Sequence, residues 1–312
     1  VFRRTPRLFA ATLAVAALAL GACAEKSPDE APTPGGTSAA AAFPVTVGKL
    51  TLDKRPEKIV SLSPTATEML FAIGAGKQVT AVDDQSNYPP DAPKSDLSGF
   101  QPNAEAIAGK SPDLVVLSND TNKIVDQLTT LKIPVLLTPA ATTLEDTYRQ
   151  IIELGTLTGH PNEAASVNNR MRDDIAKLTK DLPQRSAKLT YYHELGPELY
   201  SATSKTFIGS IYALAGLENI ADASDADGKN GGYPQLSQEI IVKANPDFVF
   251  LADTKCCKQS PETVKARSGW AGVTAVKNNQ IVALDDDIAS RWGPRVVDLL
   301  RAVVDAVAKV PA

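Results

Sequence analysis

The stretch NAEAIAGKSPDLVVL, Asn103 to Leu117, returns nearly unchanged as SQEIIVKANPDFVFL, Ser237 to Leu251. In each copy a glutamate, Glu105 or Glu239, stands seven residues ahead of a Pro-Asp pair, Pro112-Asp113 or Pro246-Asp247, and an apolar run follows. A helix, a turn and a buried strand written twice imply two halves built alike. Asn103 and Ser237 are good helix N-caps, which places both glutamates in a first helical turn. The helix dipole favours a carboxylate there by a few tenths to about 1 kcal/mol, and taken singly that structural role would suffice. What precedes each cap shifts the balance: GFQPN in one half and GGYPQLS in the other, an aromatic on a Gly-Pro loop. If the halves face each other, Phe100 and Tyr233 oppose across a cleft while Glu105 and Glu239 stand on the outer rims.

The rest of the chain alternates strand and helix. KIVSLSPTATEMLFAIGAGKQVTAVDD, from Lys58, reads as a strand, a Ser-Pro turn, a helix with Met69, Leu70 and Ile73 on one face, a Gly stop and a second strand. A helix from about Asn103, strand Leu114 to Leu117, helix Lys123 to Leu131, strand Pro134 to Leu137 and helix Leu144 to Leu157 follow. The second half restarts at strand Lys188 to Tyr192 and helix Phe207 to Ala215, then passes the loop ASDADGKNGGYP. After the repeated segment it closes with strand Gln280 to Leu284 and helix Arg295 to Lys309. The fold class is therefore α/β, with parallel sheets covered on both faces and ligands expected at the carboxyl ends of the strands. From Asn162 to Leu182 runs a helix without Pro or Gly, its stripe formed by Ala164, Val167, Met171, Ile175, Leu178 and Leu182. At 1.5 Å per residue it spans about 30 Å. It either bridges two domains or packs as an ordinary amphipathic helix on the first sheet.

The N-terminus reads as an export signal. Arg3, Arg4 and Arg7 precede an apolar run from Leu8 to Leu20 that ends in LGAC, and the run is too short for a membrane span. LGAC looks like the lipobox of bacterial lipoproteins, in which Cys23 would be lipidated and become the first mature residue, the alternative being an ordinary cleaved signal. AEKSPDEAPTPGGTSAAAAFP then reads as a disordered tether. The folded part begins near Val45. Net charge is −4 with no basic tract beyond the signal, so nucleic acid is not an expected partner. No G-x-S-x-G elbow or H-E-x-x-H occurs, and GAGKQ at Gly74 lacks the outer residues of a phosphate loop. No catalytic residue is assigned, and the chain is not expected to be an enzyme.

Across RPEKIVSLSPTATEMLFAIGAG, DDQSNYPP, NAEAIAGKSPDLVV, YPQLSQEIIVKANPDFV and SRWGPRVVDLL, the chain from about Arg55 to Val310 resembles the helical-backbone class of ABC-importer binding proteins. That class carries cobalamin, haem and iron-siderophores, and its cobalamin carriers look most similar. The resemblance implies two Rossmann-like lobes joined by a single long helix, with the ligand cleft between them. Segments would run 1–22 signal, 23–44 tether, 45–160 N-terminal lobe, 161–183 linking helix and 184–312 C-terminal lobe. It also implies a monomer, held to the cell membrane through Cys23, that docks Glu105 and Glu239 on arginines of a permease dimer driven by a cytoplasmic ATPase. Cobalamin or a related corrinoid would be cargo, not cofactor, with an iron-siderophore or haem as the alternative. The aromatics matching cobalamin contacts are Tyr88, Phe100, Tyr200, Tyr233 and Trp292, although tryptophans stand in the cobalamin carriers where this chain has Phe100 and Tyr233. Core packing is the competing role for each.

Cys256 and Cys257 follow strand Phe248 to Leu251 on a loop expected to open toward the cleft. After export, and with Cys23 lipidated, they can pair only with each other. They would then form a stiff plate against the ligand, or merely part of a surface loop. Neighbouring cysteines offer poor chelate geometry and the chain has only two histidines, so no structural zinc site is expected and no metal is assigned. His193 suits an iron or corrin contact or a structural role, and His160 reads as turn chemistry. Arg291 flanks Trp292 and is a candidate for anionic ligand groups. Arg295, opening the last helix, either shares that task or holds the lobe together.

Overall fold

The protein is described by a computed structural model over residues 42–311, all within one compact unit. The expected export signal, Cys23 and the expected tether as far as residue 41 lie outside the described residues. The described chain opens with an antiparallel pair, β1 (Val45–Val47) and β2 (Leu50–Leu52). The first half then runs β3 (Ile59–Leu62), α1 (Pro64–Ala72), β4 (Val79–Val82), α2 (Ala104–Ala108), β5 (Leu114–Leu117), α3 (Ile124–Thr130), β6 (Val135–Leu137) and α4 (Leu144–Thr158). After α5 (Pro161–Thr179) come β7 (Thr190–Glu194), α6 (Phe207–Leu214), β8 (Glu218–Asn219), α7 (Gln238–Ala244) and β9 (Phe248–Leu251). The chain ends with α8 (Pro261–Lys265), α9 (Thr274–Lys277), β10 (Ile281–Ala283), α10 (Asp286–Ser290) and α11 (Val296–Val307).

Two parallel four-stranded sheets result, ordered β4-β3-β5-β6 and β8-β7-β9-β10. Numbered within each half, both orders read second, first, third, fourth. The repeated segment is thus the third strand and its preceding helix in each lobe. Period-two alternation explains how one strand serves two helical layers. Leu114 and Val116 of β5 face the large core shared with α1, α4, α5 and α11, whereas Val115 and Leu117 face a smaller core under α3. In β9, Phe248 and Phe250 join the same large core, while Val249 and Leu251 pack with Trp270 on the other side.

The Pro-Asp pairs have a structural task that their sequence did not disclose. Asp113 accepts from the backbone N–H of Glu57 at 3.0 Å and of Lys58 at 2.9 Å, tying β5 to the start of β3. Asp247 does the same for β9 and β7, accepting from the Thr190 N–H at 2.8 Å and its hydroxyl at 3.0 Å. Each carboxylate therefore sets the register of the two central strands.

Pro at its first turn starts α5 at Pro161, and the helix ends at Thr179, short of Leu182. Its stripe packs against both α4 and α11. Ala164, Val167 and Met171 are buried, and Ile175, Leu178 and Leu182 pack at the core margin. One helix thereby contacts the last helix of each lobe. Gly155 of α4 permits the α4–α5 approach, since a Cβ there would sit 2.4 Å from Ala164 Cβ.

Candidate functional site

In both sheets strand order reverses between the first and third strands, which opens a crevice at their carboxyl ends. In the N-terminal lobe that crevice is a pocket of about 360 Å³. Ser63 and Pro64 after β3, Asp83 after β4 and Asn119 after β5 form its base, with Phe100 at the mouth. The opposite wall comes from the other lobe, through Asp287, Arg291 and Trp292. Three residues expected at a ligand site, Phe100, Arg291 and Trp292, are thus brought together. Phe100 is 72% exposed, an aromatic face with no packing role. Trp292 is half-buried, its indole N–H donating to Gln150 Oε1 at 2.9 Å and its backbone carbonyl accepting from the Thr147 hydroxyl at 2.9 Å. Both partners lie on α4, so the ring is oriented by the lobe it faces.

Arg291 lines the pocket, but its guanidinium is committed. It donates to Glu68 Oε1 at 2.8 Å, to the Gln85 carbonyl at 3.1 Å and to Asp287 Oδ1 at 2.9 Å. Glu68, on α1, also takes Arg295 Nε at 2.9 Å. The Arg295 guanidinium lies 4.0 Å over the Tyr88 ring. One buried carboxylate of the N-terminal lobe therefore holds two arginines of the C-terminal lobe. Arg295 proves to join the lobes to each other. Asp287 takes Asn87 Nδ2 at 3.0 Å and Lys255 Nζ at 2.7 Å. Burial alone would raise the Asp287 carboxyl, but Lys255 and Arg291 outweigh it and hold it below the usual carboxylate range.

The remaining aromatics fall outside the pocket wall. Tyr88 is part-exposed beneath Arg295. Tyr200 and Tyr233 lie on adjoining segments of the C-terminal lobe, because Ser201 N–H donates to the Pro234 carbonyl at 3.0 Å and Tyr200 bridges Gln235. Both rings are nearly half exposed. Gly232, at φ +91°, lets this loop lie against Thr206, whose Cγ2 would be 2.6 Å from an added Cβ. Glu105 and Glu239 are exposed in the first turns of α2 and α7, capped by Asn103 and Ser237 as expected.

Cys256 and Cys257 are joined in a disulfide between adjacent residues. Asp286 anchors their loop, accepting from the N–H groups of Thr254 at 2.8 Å, Lys255 at 2.9 Å and Cys256 at 3.0 Å. The loop thus sits on the helix that carries Asp287 and leads to Arg291. His193 is wholly buried, with Nδ1 2.8 Å from the Tyr212 hydroxyl, and burial lowers it to about 3. It is a neutral core residue that no cleft ligand reaches. Among the described residues no cluster of three or more His, Cys, Asp or Glu could hold a metal ion.

At the carboxyl ends of β7 and β9 sit two further buried acids. Glu194 is paired with Arg267 at 2.6 Å, and Asp253 has neither oxygen hydrogen-bonded. Burial, reinforced by the Glu194 charge, pushes Asp253 up to about 7. Asp83, one residue beyond β4, is a buried acid of the first lobe and is likewise raised chiefly by burial. Neither was singled out in the sequence. Their place one or two residues beyond an apolar strand of a parallel sheet was the available signal.

The family described as "Periplasmic binding protein" matches residues 59–288. A protein of Halobacterium salinarum named "Cobalamin-binding protein" is 32% identical over 95% of this chain and 84% of its own length. Among solved structures, a possible iron-binding, periplasmic solute-binding protein of Staphylococcus epidermidis shares 28% identity with a TM-score of 0.69, covering 82% of this chain and 100% of that one. The periplasmic vitamin B12 binding protein of Vibrio cholerae superposes with a TM-score of 0.67 at 23% identity, over 82% of this chain and 99% of that one. At that identity the second superposition shows the fold alone.

Proposed function

Because the chain belongs to the periplasmic binding protein family, we propose that it is the extracytoplasmic substrate-binding lipoprotein of an ABC importer whose cargo is cobalamin or a related corrinoid. The observation that carries the cargo is the pocket between the lobes, with Phe100 and Trp292 on its wall and its one arginine already neutralised. A flat, largely uncharged macrocycle suits aromatic faces and needs no free cation. A haem propionate or a siderophore carboxylate would look to Arg291, which is held by Glu68 and Asp287. The name of the 32% identical relative points the same way.

A volume of about 360 Å³ accepts one edge of a corrin and not the whole molecule. The ligand therefore enters edge-in, with Tyr88, Tyr200, Tyr233 and the Cys256-Cys257 loop meeting what protrudes. The lobes share a continuous core through α5 and the Glu68 cluster, so closure is a small hinge motion. The protein acts by capture without chemistry. Lipidated Cys23 would hold it at the membrane, while Glu105 and Glu239 meet permease arginines and set orientation and on-rate more than affinity.

The test is a titration of the full chain in detergent with cyanocobalamin, followed by calorimetry and by the fluorescence of Trp292 and Trp270. Saturable one-to-one binding is expected. No heat and no quenching from a folded protein would overturn the cargo, and tight binding of ferric siderophores or haemin in its place would replace it.

A further inference from the structure

We propose that Asp83 is the residue by which this cleft selects ligands rimmed with neutral amide groups and turns away those rimmed with carboxylates. The inference rests on the cargo reading above and assigns a role to a side chain that reading does not use. Asp83 stands one residue beyond β4, its N–H donating to the Ser61 carbonyl at 3.0 Å and its backbone bridging Leu97. Its carboxyl forms part of the pocket base, yet the residue is only 3% exposed, and Oδ1 has no hydrogen-bond partner in the protein. A buried acceptor left unpaired is costly, so the carboxyl as a whole, with Oδ2 beside the pocket-lining Gly99, gains from a bound molecule that supplies an N–H or O–H.

The space around the carboxyl is specifically kept. At Gly99, which also lines the pocket, an added Cβ would stand 2.4 Å from Asp83 Oδ2 and 3.1 Å from the Leu62 carbonyl. Any side chain at position 99 would displace the acid from the base of the cleft.

Charge then decides which rim is admitted. The ionisable side chains on the pocket wall are Asp83, Asp287 and Arg291. Arg291 is held by Glu68, Asp287 and the Gln85 carbonyl, so it offers an incoming anion no free donor pair. Asp84 adds negative charge nearby, while hydrogen bonds from Ser86 and the charge of Arg291 favour ionisation of Asp83 without outweighing its burial. The primary amides around a corrin present N–H donors to such a site. The propionates of haem and the carboxylates of many siderophores would face this acid beside an arginine whose charge is already shared with Glu68 and Asp287. Burial raises the Asp83 carboxyl, so the rejection strengthens as pH rises and the group ionises.

The experiment uses cyanocobalamin and its b-, d- and e-monocarboxylic acids, in each of which one amide is replaced by a carboxylate. Each is titrated into the full chain in detergent, as wild type, Asp83→Asn and Asp83→Ala. In the wild type at pH 8, at least one monocarboxylate is expected to bind at least tenfold more weakly than cyanocobalamin. For that isomer the gap should shrink to under about threefold in Asp83→Asn, and it should narrow as the pH of the wild type is lowered. Asp83→Ala should lose about tenfold on cyanocobalamin itself. Equal binding of all four ligands by the wild type, or a gap unchanged in Asp83→Asn, overturns the proposal. The wild-type pH series needs no variant to fold. If folded wild type binds no corrinoid, the cargo reading fails separately and haemin becomes the probe. Asp83→Asn should then bind haemin at least tenfold more tightly than wild type, and equal affinities would refute the role of Asp83.

Discussion

Glu68→Gln removes the negative charge that two arginines of the opposite lobe share. The Glu68 side chain is 2% exposed, with Arg291 at 9% and Arg295 at 18%. Breaking a buried pair by removing one partner costs about 3–5 kcal/mol, because the remaining charge stays desolvated. Three features pull the value toward the low end. Arg291 keeps Asp287 at 2.9 Å and the Gln85 carbonyl, Arg295 keeps the Tyr88 ring, and glutamine retains one acceptor oxygen. A loss of about 3 kcal/mol is therefore expected. For a folded part of roughly 270 residues the unfolding entropy is on the order of 0.6 kcal/mol/K, so the melting temperature should fall by about 5 °C. Circular dichroism melts of wild type, Glu68→Gln, Arg295→Gln and the double variant supply a cycle. The two substitutions should be coupled by at least about 1 kcal/mol, since the second removes a charge that the first has left unpaired. A fall below about 1 °C, or strict additivity, would refute the claim that this cluster joins the lobes.

Phe100→Ala should leave the melting temperature within about 1 °C of wild type, because the ring is 72% exposed, while cyanocobalamin affinity falls about tenfold with the lost aromatic face. An unchanged calorimetric Kd would remove Phe100 from the site. Glu105→Lys with Glu239→Lys should abolish uptake in cells and leave ligand affinity unchanged, since both residues are exposed, while the melting temperature falls by only about 2–4 °C through the lost dipole contribution at two first helical turns. A collapse of affinity would sink the docking role. Asp253 is raised to about 7 when folded, so the native state holds its proton more tightly than the unfolded chain. Its stabilising effect is complete below about pH 4 and is lost as pH rises through 7. Asp253→Asn should therefore gain on wild type between pH 5 and 8 in thermal melts, and a constant difference across that range would count against the assignment.

The sequence by itself determined the architecture. The repeat around Glu105 and Glu239 identified two like halves, and strand alternation identified parallel sheets whose carboxyl ends carry the site. These signals are local: caps, apolar periodicity and turn residues act over a few positions and are written where they act. The role of Asp113 and Asp247 was visible as a motif but not as a register clamp, because their partners lie 55 to 57 residues away. Arg291 could be singled out beside Trp292, yet only the folded chain brings Glu68 to it across 223 residues and turns a candidate anion binder into a neutralised lobe contact. Asp83 went unremarked in a short polar loop. Its burial and unpaired oxygen arise when Gly99, Leu62 and the opposite wall close around it. Which charges remain free in the cleft is thus a tertiary property, since desolvation and pairing depend on what long-range packing places within a few ångströms.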